Sequence, residues 1–162
     1  MSSQEPAITF RELLAYTDYL AQRWLNYFEQ NPKALDVDVG GKTGTLRDLV
    51  AHVFLVEQFF ANRVLGDPTP PPKEKPQAPP LEMLRGLHHD AQQKLAKYIA
   101  SATDESLRQK QAFGPVSASN RKLLAQAMLH SVHHWAQVAM EVRQAGFPTE
   151  KPQDIIISPV MD

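Results

Sequence analysis

The stretch Leu123–Val142, LLAQAMLHSVHHWAQVAMEV, reads as one long, mostly apolar helix with three imidazoles inside five residues, at His130, His133 and His134. His130 and His134 are four residues apart, so they stack on one face about 40° from each other around the axis, and two ring nitrogens can converge on one ion. Gln126, Gln137 and Glu141 share that strip, while most of the remaining circumference is Leu, Val, Ala, Met or Trp. The strip also suits the solvent side of an amphipathic helix, so the pair alone does not decide between ligand and surface. His133 lies about 100° from His134 and is expected to be a neighbour or an outer hydrogen-bonding group.

His52 shifts that balance. It sits within about 60° of Leu49, Leu55, Val56 and Phe59 on a second apolar helix, and a lone imidazole on a core face needs partners. Two imidazoles at ligand spacing are available on another helix, and helical bundles commonly build metal sites from facing helices. Three neutral histidines around one divalent ion leave positions open, as in a catalytic rather than a structural site. With no cysteine in the chain, thiolate ligands and disulfides are excluded, and imidazole suits zinc and nickel alike. Asp48, one turn before His52, and Gln137 and Glu141, beside the fourth-helix pair, are candidates to orient the ligands by hydrogen bonding. His88 and His89 have no matching partner at ligand spacing and are expected at the surface.

The rest of the chain is organised around these two helices. Thr9-Phe10-Arg11-Glu12 has the capping-box pattern and opens a first helix that Asn31-Pro32 stops. Residues 34–44 alternate briefly at Leu35-Asp36-Val37-Asp38-Val39 but show no partner strand, so an ordered loop is expected. Thr45 caps a second helix, with Asp48 as its box partner, running to about Leu65. Seven prolines between Pro68 and Pro80 exclude regular structure there, and the segment 66–80 is expected to be a stiff crossover within one domain spanning 1–162. A third, outer helix covers about 81–100. A loop with a helical turn near Asp104–Gln109 leads to the fourth helix, from about Ser119 to Ala145, with Gly146 as its C′ residue and Pro148 beyond. The tail, 147–162, carries Ile155-Ile156-Ile157, and because three exposed isoleucines are unusual it is expected to pack on the bundle or on a second subunit. Four helices and no convincing strand predict an all-α four-helix bundle.

Composition narrows the function. A net charge of −1 and a pI near 6.6 provide no field for nucleic acid or anionic lipid, and basic residues do not cluster with aromatics along one face. The N-terminus lacks a signal-peptide pattern and no apolar run reaches membrane length, so a cytoplasmic protein is expected. There is no Gly-x-Ser-x-Gly elbow and no His-Glu-x-x-His motif, and Gly41-Lys42-Thr43 lacks the upstream glycine of a phosphate-binding loop.

Taken together, Leu46-Arg47-Asp48-Leu49-Val50-Ala51-His52, His130-Ser131-Val132-His133-His134-Trp135-Ala136-Gln137 and Arg143-Gln144-Ala145-Gly146-Phe147-Pro148 resemble the DinB-like superfamily over nearly the whole chain. The resemblance implies an up-down-down-up four-helix bundle, often a homodimer, holding a divalent metal on three histidines, which match His52, His130 and His134. His133 matches an additional histidine that many members carry. Where many relatives have Arg-Gly after the paired histidines this chain has Trp135-Ala136, which leaves the ligands intact and puts an arginine-dependent substrate contact in question. Characterised relatives include transferases and isomerases that use bacillithiol, mycothiol or glutathione, so the resemblance implies a small-molecule substrate and a low-molecular-weight thiol as cofactor. The expected function is a metal-dependent thiol S-transferase or hydrolase. The alternative is a non-catalytic helical module for dimerisation or binding, with a structural or vestigial metal site.

Overall fold

Thr9 opens the first helix, α1 (Phe10–Gln30), as its sequence requires: the hydroxyl accepts from the Glu12 amide at 3.2 Å, and the Glu12 carboxylate accepts from the Thr9 amide at 2.7 Å. Such a cap is worth about 1 kcal/mol. The computed structural model describes residues 7–67, 78–113, 115–148 and 153–161. After α1 come a 3-10 turn (Pro32–Asp36), β1 (Asp38–Gly40), β2 (Gly44–Thr45) and α2 (Leu46–Val64). Then follow α3 (Leu81–Ser101), α4 (Asp104–Arg108), β3 (Lys110–Phe113), β4 (Val116–Ser119), α5 (Asn120–Gln144) and a 3-10 turn at Ile155–Ile157. Most of the proline-rich crossover expected at 66–80 lies outside the described residues.

Thr45 and Asp48 form a second reciprocal capping box at the start of α2. Gly44 makes it possible. Its φ is +86°, and a Cβ there would lie 2.7 Å from Asp48 Oδ2, the oxygen that closes the box.

Two short hairpins replace expected loops. β1 pairs antiparallel with β2, Asp38 opposite Thr45, and β3 pairs with β4 from Lys110–Ser119 to its tip. In the first, the partner missing from the sequence reading is a two-residue strand directly before α2, too short to show any periodicity. The second braces two helix ends: the Gln111 side-chain Nε2 donates to the Arg63 carbonyl, and the Asn120 backbone amide donates to the Gln109 carbonyl.

The four long helices pack in a ring, α2 against α3 and α5, and α1 against the same two. Two buried clusters run through it. The larger joins Leu20, Trp24 and Phe28 of α1, Leu46, Val50 and Phe54 of α2, Leu84 of α3, and Trp135, Val138 and Val142 of α5. Trp24 and Trp135 stack at 6.3 Å and 14°, and both are almost fully buried. The second cluster joins Leu14 with Phe60, Ala61 and Val64, Leu95 and Tyr98, and Leu123, Leu124 and Met128. The described residues are mostly helical, and among them no helix is long and apolar enough to cross a membrane.

The tail reaches the helices without using its isoleucines. The Tyr16 hydroxyl donates to the Gln153 carbonyl, the Tyr27 hydroxyl donates to the Pro148 carbonyl at 2.8 Å, and Phe147 and Val160 pack on the larger cluster. Ile156 stays 88% exposed, and Ile155 and Ile157 are exposed beside it. The tail thus meets the helices through Phe147, Val160 and its backbone carbonyls, while a single 3-10 turn leaves the three isoleucines exposed and Ser158 is buried.

Candidate metal centre

His52 projects from α2, which packs directly against α5, and its side chain is half-buried there. Across from it, α5 turns His130 and His134 inward from the edge of a face whose centre is Ser131, Trp135 and Val138. The His52 ring centroid lies 5.1 Å from those of both His130 and His134, and the latter two are 4.4 Å apart. One ring nitrogen from each of the three lies within 4.8 Å of the others, and all three side chains are half-buried. His130 and His134 thus face His52 of α2, while Gln126 at the start of the same strip is exposed.

Hydrogen bonding assigns the tautomer of one ring. His134 Nδ1 donates to Gln137 Oε1 at 3.0 Å, since an amide oxygen only accepts, and this leaves the lone pair on Nε2. That atom faces His130 Nε2 across 3.1 Å. On the far side of the His130 ring, Nδ1 is buried and has no hydrogen-bond partner among the described residues. Two imidazole nitrogens, each about 2.0–2.1 Å from a zinc ion at ordinary bond angles, would stand roughly 3.0–3.4 Å apart, which matches the observed pair. The donor set and its spacing fit a divalent ion.

The electrostatics agree. Burial, reinforced by the imidazoles of His134, His52 and His133, pushes His130 down to about 4, and burial also lowers His134 against the opposing Gln137 hydrogen bond. Both are therefore neutral at neutral pH, the form that ligates a metal.

The remaining sequence candidates fall in different places. Gln137 is bonded to His134 as described. His133 is exposed, its ring 5.4 Å from that of His134. Glu141 is half-buried one turn beyond Gln137. Asp48 is engaged in the cap, its Oδ2 accepting from both the amide and the hydroxyl of Thr45. A groove of about 510 Å³ lined by Ile8, Phe10, Leu13, Arg121, Lys122 and Ala125 lies toward the start of α5, more than a turn before His130.

His88 corrects the sequence reading outright. It is fully buried, with Nδ1 donating to Glu57 Oε2 at 3.0 Å and Nε2 donating to Asp18 Oδ1 at 2.9 Å. Burial alone would lower its pKa; the two carboxylates outweigh it and raise the pKa to about 9. Glu57 also accepts from the Ser131 hydroxyl. Spacing held the signal: His88 continues the buried row Leu84, Ala91 and Leu95, and Glu57 continues Val50, Phe54, Ala61 and Val64.

The DinB family model matches residues 1–154. The chain belongs to the DinB family. A solved structure of similar shape is that of a DinB-like protein, YjoA, from Bacillus subtilis: it matches with a TM-score of 0.57 and 20% identity, over 88% of this chain and 92% of that one. At that identity the likeness shows a DinB-like fold and no more. No curated protein sequence matches the chain. Within this DinB-family fold, His52, His130 and His134 form a group able to hold a metal ion.

Proposed function

We propose that this chain is a metal-dependent enzyme that acts on a small molecule as a thiol S-transferase or hydrolase. The observation that carries the reading is the convergence of three half-buried imidazoles from two helices, with paired Nε2 atoms 3.1 Å apart. His52, His130 and His134 would hold a zinc or nickel ion, and Gln137 would fix the His134 ring by taking its Nδ1–H. Such an ion supplies Lewis acidity that stabilises the anionic form of a thiol or a water at neutral pH. The chain has no cysteine, so a reacting thiol would come from a low-molecular-weight cofactor. His133, exposed beside His134, stands where it can exchange protons with an incoming molecule.

The fuller architecture belongs to the same proposal: one domain over 1–162, a four-helix bundle of up-down-down-up order, and a cytoplasmic homodimer. Core membership supports the order. The first half of α1 shares a cluster with the last halves of α2 and α3 and the first half of α5, and the other halves share the other cluster. A second reading, a non-catalytic binding or dimerisation module, draws on the exposed Leu129 (62%) and Met140 (45%), which lie on one outward stripe of α5 with His133 and Ala136.

Metal analysis of protein purified without an affinity tag separates the readings. The enzyme reading expects close to one equivalent of zinc or nickel in the wild type and near none in His52→Ala or His134→Ala. Equal, negligible metal in all three would sink it.

A further inference from the structure

Glu57, His88 and Ser131 are 1%, 0% and 0% exposed, in slots that their neighbours fill with Val, Leu, Phe and Trp. They form one chain. The Ser131 hydroxyl donates to Glu57 Oε1, His88 Nδ1 donates to Glu57 Oε2, and His88 Nε2 donates to Asp18 Oδ1 at the surface. The chain takes one residue from each of the four long helices. A buried carboxylate is costly unless it is paired and hydrogen-bonded, and here both of its oxygens are satisfied.

Apolar packing is non-directional and tolerates small rotations of one helix on another, whereas a hydrogen bond holds its partners to a narrow range of distance and angle. The one direct link in this chain between α2 and α5, Glu57 to Ser131, joins the two helices that carry the three histidines. Ser131 lies between His130 and His134 in sequence, about 100° around the axis from the first and about 60° from the second. Glu57 stands five residues beyond His52, about 7.5 Å along α2. A slip of a single residue between the helices, about 1.5 Å and 100°, would break the Ser131 bond and carry His52 out of reach of the pair.

We infer that Glu57 is a positioning residue for the three-histidine site: its hydrogen bond with Ser131 sets the rotation and register of α2 against α5 and so brings His52 onto His130 and His134. The inference rests on the metal-site reading above.

Cobalt(II) titration of the full, tag-free chain, followed by visible absorption, reads both affinity and ligand geometry. Ser131→Ala deletes one buried oxygen; it is expected to stay helical by circular dichroism, bind cobalt(II) roughly tenfold or more weakly, and show an altered absorption band. Glu57→Gln keeps an acceptor for Ser131 and is expected to retain the wild-type band, with affinity within about threefold. Should Ser131→Ala fail to fold, Glu57→Met, which removes the acceptor at nearly constant volume, is titrated in its place. A folded Ser131→Ala with unchanged affinity and band, even at a lower urea midpoint, assigns the network to stability alone and overturns the positioning role while leaving the metal reading intact. A loss in Glu57→Gln as large as in Ser131→Ala contradicts the hydrogen bond as the device. Absence of cobalt binding by the wild type overturns the metal reading and this inference with it.

Discussion

Zinc is expected to raise the unfolding free energy of the wild type by about 2.7 kcal/mol at a free concentration one hundred times Kd, and by about 4.1 at one thousand times. His134→Ala is expected to show almost none of this rise. Three imidazoles are held together where burial keeps His130 neutral, and the His134 lone pair faces another ring nitrogen. Each of these features costs the native state something that an ion would offset. An unfolded chain separates His52 from His130 by 78 residues and offers no comparable site, so binding energy becomes folding energy. Urea unfolding at fixed pH, with and without zinc, checks it. A midpoint that zinc leaves unmoved in wild type would contradict the account, and a shift preserved in His134→Ala would remove that residue from the ligand set.

The second large effect concerns His88. Replacing it by alanine leaves the buried Glu57 without its imidazole, and loss of one partner from a buried pair typically costs about 3–5 kcal/mol. The same pair makes stability depend on pH in a defined window. The His88 pKa is raised to about 9 in the folded chain, against an ordinary histidine value of 6.5. The native state therefore binds more protons than the unfolded state between those values, so stability falls as pH rises. The contribution is fully present below about pH 6.5 and gone above about 9, with a span of roughly 3 kcal/mol at 1.36 kcal/mol per unit. Asp18, lowered by its His88 hydrogen bond against the effect of burial, acts at the other end: its contribution is present above about pH 4 and lost as pH falls. Chemical denaturation across pH 6–10 measures the first window. His88→Ala should flatten it; an equally steep fall in that variant would place the titration elsewhere.

These residues also mark what the sequence makes legible. Helix ends were readable because they rest on local chemistry: Thr9 with Glu12, Thr45 with Asp48, the Ser119 cap and Gly146 at positive φ all act within three or four positions. The metal group was readable because His130 and His134 declare one face by spacing, and His52 sits on a helix whose apolar period is plain. The hairpins escaped because their strands have four residues or fewer and their pairing depends on a neighbour that periodicity does not encode. His88 escaped for a different reason. Ligand spacing says nothing about it, because its role depends on Glu57, 31 positions away on another helix. Its place in a row of buried residues held that information; which partner met it was a matter of tertiary packing. The tail is a separate case: it meets the helices through Phe147 and Val160, since hydrophobicity over three isoleucines does not fix which way a single turn faces.

Zinc K-edge X-ray absorption on tag-free protein carrying one equivalent of zinc tests the central claim most directly. The account predicts a first shell containing three imidazole nitrogens at about 2.0–2.1 Å, reduced by one in His52→Ala. A shell of oxygen ligands without imidazole scattering, or a wild-type spectrum unchanged by His52→Ala, would contradict it.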